Sequence, residues 1–572
     1  MRKRTRYNSM KKLLLAAISL FCICSGAYAQ EASDPGVLFT VDARAKIEPM
    51  KPIWAWVGYD EPNYTYMKDG TKLLSELSDL SPVPVYVRAH NLLTSGDGVA
   101  ALKWGSTNAY TEDSQGNPVY SWTILDKIFD TYIQRGLKPY VEIGFMPEAL
   151  SIKPEPYKHS WTPATQYNSI YTGWTQPPKD YAKWGDLVYN WVLHCIDRYG
   201  VEEVEQWYWE VWNEPDIGYW SGTHEEYCKL YDYATEGVRR ALPSAKVGGP
   251  ETTDPSNQRA ADYLRRFLEH CRDGVNYATG EKGAPLDFIA FHAKGSPQVV
   301  DGHVRMNIGR QLRNIDKGFE VVASFPEFKH LPIVIGESDP EGCAACSVEY
   351  HPSNAYRNGT MYSSYSANTW ARTYELARKH GVNILGAVAW AFEFEDQIWF
   401  GGFRDLATNG VDKPVLNVLR MYGLMQGGSL VEVKSSKPVS ADDILAQSVR
   451  ADADVSAVAN ATENSVSIMV WNYHDDDLPA PATPVTVNFR GIGADRVLVS
   501  QYRIDNEYSN SYEAWKAMGS PQDPTPEQYR ALEQSGQLQM NASPAFRNVS
   551  DGRLDVDFVL PRQGVALIRL SW

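Results

Sequence analysis

From about Ile53 to Met425 the chain alternates short apolar runs with stretches of helical period. The runs Ile53–Gly58, Val83–Arg88, Lys138–Ile143, Gln206–Val211, Lys246–Gly249, Leu286–Phe291, Leu331–Ile335 and Leu385–Trp390 read as strands. Between them lie amphipathic helices, such as the one marked by Trp184, Leu187, Trp191 and Cys195 and closed by Gly200. Another starts at Thr223, whose hydroxyl caps the first turn while Glu226 reaches back to it. Eight strand–helix units in succession predict an α/β fold, a TIM (β/α)8 barrel over residues 49–428. The long connections His90–Ser121, Met146–Pro178 and Glu337–Thr360 follow strands, whereas the returns at Gly136 and Gly381 are tight. Long loops gathered after strands place the chemistry at the carboxyl end of the barrel.

After about Leu430 the period changes to two, with strands expected at Val466–Tyr473, Val485–Phe489, Arg496–Tyr502, Leu554–Leu560 and Val565–Leu570. Residues 429–572 are therefore expected to form a β-sandwich, interrupted by a helical insertion near 511–534. The run Val37–Val41, in segment 30–48, is expected to join that sandwich.

Residues 1–29 have the form of a secretory signal: six basic residues and no acidic one, the apolar run Leu13–Ile23, and Ala27-Tyr28-Ala29 before Gln30. The run is too short to span a bilayer, so the chain is expected to be exported, periplasmic or secreted, with no membrane span. Removing the signal takes the formal charge from −15 to −21, which argues against nucleic acid or an anionic membrane as partner. Of the five remaining cysteines only Cys343 and Cys346 are close. A zinc site would need two further ligands where only His351 is near, so a local disulfide or two thiols is the reading, with no metal or cofactor.

Two carboxylates follow strands on the expected face: Glu214 in "VWNEP" after the fourth and Glu337 in "IVIGES" after the seventh. Paired carboxylates across a barrel mouth suit glycoside hydrolysis, in which one protonates the leaving oxygen and the other attacks or activates water. The segment Gln206–Trp220 holds six aromatic residues, which would stack on sugar faces. Strand parity puts Trp207 and Trp209 on one side and Tyr208, Glu210 and Trp212 on the other, so half of these rings are expected to be ordinary packing. Gly336–Pro340 begins like a serine-hydrolase elbow but ends in Pro where Gly is needed.

These segments, together with "GYDEPNYTYMKDG" at Gly58–Gly70, "VYVRAHNLLTSGDG" at Val85–Gly98, "FIAFHAKG" at Phe288–Gly295 and "GGFRDLATNGVDKPVLNVLRM" at Gly401–Met421, resemble glycoside hydrolase family 39. The late stretch Ser509–Gly536 is similar to the insertion of the same family. The resemblance implies a retaining, exo-acting glycosidase with Glu214 as general acid/base and Glu337 as nucleophile. It further implies that Asn213 bonds the sugar 2-hydroxyl and that His90 and His292 floor the sugar site. Arg88 would orient the nucleophile, and Trp390 would contact substrate at the end of the eighth strand. Lys294 and Arg404 resemble the α-L-iduronidase branch, where a cation pair would hold a uronic carboxylate. The acidic loop Phe392–Asp396, with Glu395, resembles the β-xylosidase branch. The expectation is a neutral sugar of the β-xyloside type, with a uronide hydrolase as the alternative and a catalytically inactive carbohydrate-binding protein as a further one.

Overall fold

The computed structural model describes residues 36–80, 82–159, 163, 170–171 and 173–572. The expected signal at 1–29 lies outside them. The first strand, β1 (Val37–Pro49), is followed by β2 (Trp56–Tyr59), β3 (Tyr86–Ala89), β4 (Lys138–Ile143), β5 (Tyr208–Val211), β6 (Lys246–Thr252), β7 (Phe288–Lys294), β8 (Pro332–Asp339), β9 (Asn383–Ala387) and β10 (Ala389–Trp390). From β2 to β9 each of these strands pairs in parallel with the next in chain order. The eighth position is divided: β9 pairs with β8, and β10 pairs with β2 through Ala389↔Val57 and Trp390↔Gly58, which closes the ring. Between these strands run helices such as Tyr181–Tyr199, capped by Gly200, and His224–Ala241, whose Thr223–Glu226 capping box is present.

Strand periodicity sets the interior in layers. Tyr86, Tyr140 and Tyr208 meet inside the barrel with Trp56, which stacks on Tyr86 at 4.2 Å. Two residues further along the same strands come Arg88, Glu142 and Glu210, so a charged layer rests on an aromatic one. Trp207 and Trp209 point the other way, toward Phe129 and Trp191.

Beyond the barrel lie β11 (Ser429–Ser435), β12 (Asp454–Ala461), β13 (Ser465–Tyr473), β14 (Thr483–Arg490), β15 (Arg496–Ile504), β16 (Gln539–Asn548), β17 (Leu554–Leu560) and β18 (Val565–Ser571). Where two separate sheets were expected, hydrogen bonding links these strands and β1 in one nine-stranded order, β16-β15-β18-β13-β12-β11-β1-β14-β17. Strands far apart in that order share a single apolar core, including Phe39, Ile468, Val487, Val497 and Leu560, so the sheet curls around it. β1 pairs antiparallel with β11 and parallel with β14. The insertion is a pair of helices, Ser511–Ala517 and Pro526–Gly536; its Trp515 and Leu532 pack against Trp399, Phe400 and Val411 in the loop after β10. Cys343 and Cys346 form a disulfide, and Cys195, Cys228 and Cys271 are buried thiols.

Candidate active site

At the carboxyl end of the barrel a cavity of about 430 Å³ is lined by Asn213, Glu214, Lys294 and Glu337 at its inner end. Glu214 stands three residues past β5. Its backbone has φ +43°, a conformation costing an acidic residue about 1–3 kcal/mol, and its N–H donates to Glu251 O at 2.9 Å. Glu337 lies within β8 rather than after it, because that strand continues to Asp339. Next to it Gly336 leaves room for Glu251: a Cβ there would fall 2.0 Å from that carboxylate and force it to move.

One ammonium joins the two carboxylates. Lys294 Nζ lies 2.8 Å from Glu214 Oε1 and 2.7 Å from Glu337 Oε2. His292 Nδ1 lies 2.9 Å from Glu214 Oε1 and 3.7 Å from Glu337 Oε1, while its Nε2 lies 3.1 Å from Glu251 Oε2. His90 sits between Glu142 on Nδ1 and, on Nε2, Asp60 and Glu337, each at 3.2 Å. Arg88 forms the hub beneath: it binds Glu210, reaches Glu142 at 2.9 Å, donates to Asn213 Oδ1 at 3.2 Å and lies 3.6 Å from Glu337. A site built this way has its charges fixed before any substrate arrives.

The protonation states follow from these contacts. Burial would raise the Glu214 carboxyl, but Lys294 and His292 outweigh it and bring the pKa down to about 2. Glu337 is buried too, and is held well below the carboxylate range by Lys294, His292 and His90. Burial would depress His292, yet Glu337 and the bonds to Glu214 and Glu251 raise it to about 9. At neutral pH Glu214 thus faces two protonated donors, the Lys294 ammonium at 2.8 Å and the His292 imidazolium at 2.9 Å.

Glu214, His292 and Glu337 offer ligand atoms within 4.8 Å of one another, the spacing of a metal site. Lys294 already supplies the positive charge at that point, and a metal ion would meet both an ammonium and an imidazolium.

Not every residue expected at the site arrives there. Arg404 is 0% exposed; it donates to Trp390 O at 2.9 Å and is neutralised by Asp339 at 3.3 Å and Glu341 at 2.9 Å, so no cation pair with Lys294 forms in the cavity. Glu395 is only partly buried and accepts from Asp69 N–H at 3.0 Å, away from the cavity wall. Trp390 lies behind the wall: its indole N–H donates to Asp60 Oδ1 at 3.1 Å and its ring sits 5.0 Å from the Arg88 guanidinium. Of the aromatic residues in Gln206–Trp220 only Tyr219 lines the cavity. The others pack: Trp212, for instance, meets Phe145 and Trp220 edge-on.

The remaining lining comes from loops. Tyr157, His159, Ile217 and Tyr219 form one wall, with Tyr157 and Tyr219 rings 5.3 Å apart. Asp254, which accepts from Lys294 N–H at 2.7 Å, lines the cavity too, with Asn257, Arg259 and Arg310. Asp60 and Lys103 complete the inner end. None of these was singled out in the sequence, although Arg88, Glu142 and Glu210, charged residues inside otherwise apolar strands, were a legible sign of the layer beneath.

The family model for Glycosyl hydrolases family 39 matches residues 37–554. A beta-xylosidase of Geobacillus stearothermophilus is 24% identical over 498 residues, covering 85% of this chain and 86% of its own. An alpha-L-iduronidase of Mus musculus is 26% identical over 571 residues, covering 93% of this chain and 80% of its own. Among solved structures, a monomeric beta-xylosidase from Caulobacter crescentus CB15 superposes with a TM-score of 0.70 at 21% identity, over 93% of this chain and 99% of that one, a likeness of fold.

Proposed function

The chain belongs to glycosyl hydrolase family 39, and on that premise we propose that this glycoside hydrolase removes terminal sugars of the β-xyloside type with retention of configuration. In this reading Glu337 attacks the anomeric carbon and Glu214 protonates the leaving oxygen, then activates the water that releases the sugar. One observation carries it: an oxygen of each carboxylate lies within 4.8 Å of the other, both held by Lys294. Retaining enzymes need about 5–5.5 Å between the two groups, whereas inversion needs roughly 6.5–9.5 Å to admit a water. The resting Glu214 is ionised, so its acid role requires a proton. A sugar that draws Lys294 away from Glu214 would weaken the hold on the ionised form and let burial raise the carboxyl toward its protonated state. Asn213, fixed by Arg88, is positioned for the hydroxyl next to the anomeric carbon.

The choice between a neutral sugar and a uronide turns on the cations. Lys294, 15% exposed at its side chain, faces the cavity and would favour a uronic carboxylate. Its expected companion Arg404 is buried and spent on Asp339 and Glu341, which supports the neutral sugar. A non-catalytic sugar-binding role is disfavoured because both carboxylates are in place. Export through a signal at residues 1–29 remains part of the reading, and the Cys343–Cys346 disulfide suits an oxidising compartment.

The test is an NMR time course on an aryl β-xyloside. We expect the first-formed xylose to carry the β configuration of the substrate. An α first product would exclude the double displacement, and turnover of an aryl iduronide in preference to the xyloside would exclude the neutral glycone.

A further inference from the structure

The inner end of the cavity contains an ion pair that the two-carboxylate chemistry does not use. Asp60 comes from the loop after β2 and Lys103 from the loop after β3; both line the cavity and are 4% and 6% exposed. Lys103 Nζ binds Asp60 Oδ2. Asp60 Oδ1 accepts from the Trp390 indole at 3.1 Å and lies 3.2 Å from His90 Nε2. Lys103 is fixed at its backbone as well: its N–H donates to Glu61 Oε1 at 2.7 Å, and its φ of +60° is one a lysine adopts only at a cost of about 1–3 kcal/mol.

A lysine on a surface loop ordinarily directs its ammonium to bulk water. This one is directed inward, onto Asp60 in the cavity lining. An ammonium has three N–H donors. Asp60 takes one, and among the described residues no second acceptor bonds Nζ. Asp60 in turn is tied to the chemistry: His90 Nε2 stands 3.2 Å from both Asp60 Oδ1 and Glu337 Oε1. One imidazole thus separates the pair from the Glu337 carboxylate, within the span of a single sugar ring.

We propose that Asp60 and Lys103 are specificity-determining residues that read two adjacent hydroxyls of the glycone, one donating to the Asp60 carboxylate and its neighbour accepting from the Lys103 ammonium. The pair is net neutral, so it matches an uncharged diol and opposes a carboxylate placed at the same point, where Asp60 would repel it. The inference rests on the glycosidase reading above and narrows its substrate class to sugars with free adjacent hydroxyls remote from the scissile bond.

The experiment compares kcat/KM for an aryl β-xyloside and its 3-deoxy and 4-deoxy analogues in wild type, Lys103→Met and Asp60→Asn. Wild type should lose roughly 10–100-fold for each hydroxyl removed, the range for hydrogen bonds to charged groups. Each variant should lose a similar factor on the parent glycoside, chiefly in KM, and then show no further loss on the analogue lacking the hydroxyl it reads. Variants that discriminate against the deoxy sugars as strongly as wild type would overturn the proposal and leave the pair a structural brace. Asp60→Asn preserves shape, so it decides the matter if Lys103→Met does not fold. Should wild type cleave only an aryl iduronide, the neutral-sugar reading fails, while the same deoxy series built on that glycone still decides the pair.

Discussion

The barrel and the C-terminal sheet both enclose a core, but they fill it differently. Inside the sheet, aliphatic side chains such as Val41, Ile468, Val487 and Ile568 meet at full burial. At the mouth of the barrel the equivalent space holds Arg88, Glu142, Glu210, Glu251 and His292, all at 0% exposure. Aliphatic packing is stabilising contact by contact and leaves no group needing a polar partner. Buried charges are stabilising only as a complete set, because removing one leaves its partners unpaired in a medium that cannot solvate them. The barrel mouth thus trades tolerance for fixed orientation, which is what a site that must stabilise developing charge requires.

Substitutions at the mouth and in the sheet should separate these two behaviours. The largest effect is expected from Glu337→Ala, with activity lost on the order of 10⁴-fold on every glycoside. Glu214→Ala should lose about 10²–10⁴-fold on poor leaving groups and far less on activated aryl glycosides. Equal small losses for both, measured as kcat/KM across a leaving-group series, would remove the assignment of roles. Arg88→Met should follow, lowering stability by about 3–5 kcal/mol in urea unfolding by stranding Glu142 and Glu210, and reducing activity as Asn213 loses its anchor. Ile468→Ala, in the sheet, should cost a comparable or smaller amount, about 2–5 kcal/mol, yet leave kcat/KM on a small aryl glycoside within about twofold of wild type. If Ile468→Ala instead depresses kcat as Arg88→Met does, the two cores are coupled and the comparison breaks.

The smallest effect is in the pH dependence of Tm. His292 has a pKa raised to about 9, so its contribution is whole below its ordinary value near 6.5 and is lost as pH rises through about 9. Glu214, lowered to about 2, contributes fully above its ordinary 4.5 and loses that contribution as pH falls through about 2. The mouth should therefore contribute most between about pH 4.5 and 6.5, and His292→Gln should flatten the alkaline decline. An unchanged alkaline limb in that variant would show that another group carries it.

The sequence announced the parts of this molecule that repeat or that carry a motif. Lys138–Ile143 appears as a strand at the expected residues, and Thr223 and Glu226 cap their helix reciprocally. Glu214 and Glu337 could be placed because each follows an apolar run at a known step of an eightfold repeat. Arg404 misled for the opposite reason: its chemistry suited an anion, but Asp339 and Glu341, which claim it, belong to the same segment as Glu337 and were not counted against it. Lys103, Tyr157 and Asp254 lie in aperiodic loops, where spacing says nothing about which cavity a side chain will enter. Three strands of the sheet were also missed. β16 is polar, exposed along most of its length and contains Pro544, while β12 is dominated by small residues, so neither shows a clear alternation of period two.

The pairing of β1 with β11 has a consequence for how the chain can be cut and lengthened. Leu38 and Ser436, bonded across that edge, are 398 positions apart, so the whole barrel is a loop let out between two neighbouring strands of the sheet. A chain ending before Ser429 would contain a complete barrel and a first strand with neither of its partners, its edge open to other chains. Lengthening is another matter. The entropy of closing so large a loop rises only with the logarithm of its length, about 0.6 kcal/mol for each doubling, so insertions into barrel connections such as 146–178 leave the closure of the sheet almost untouched.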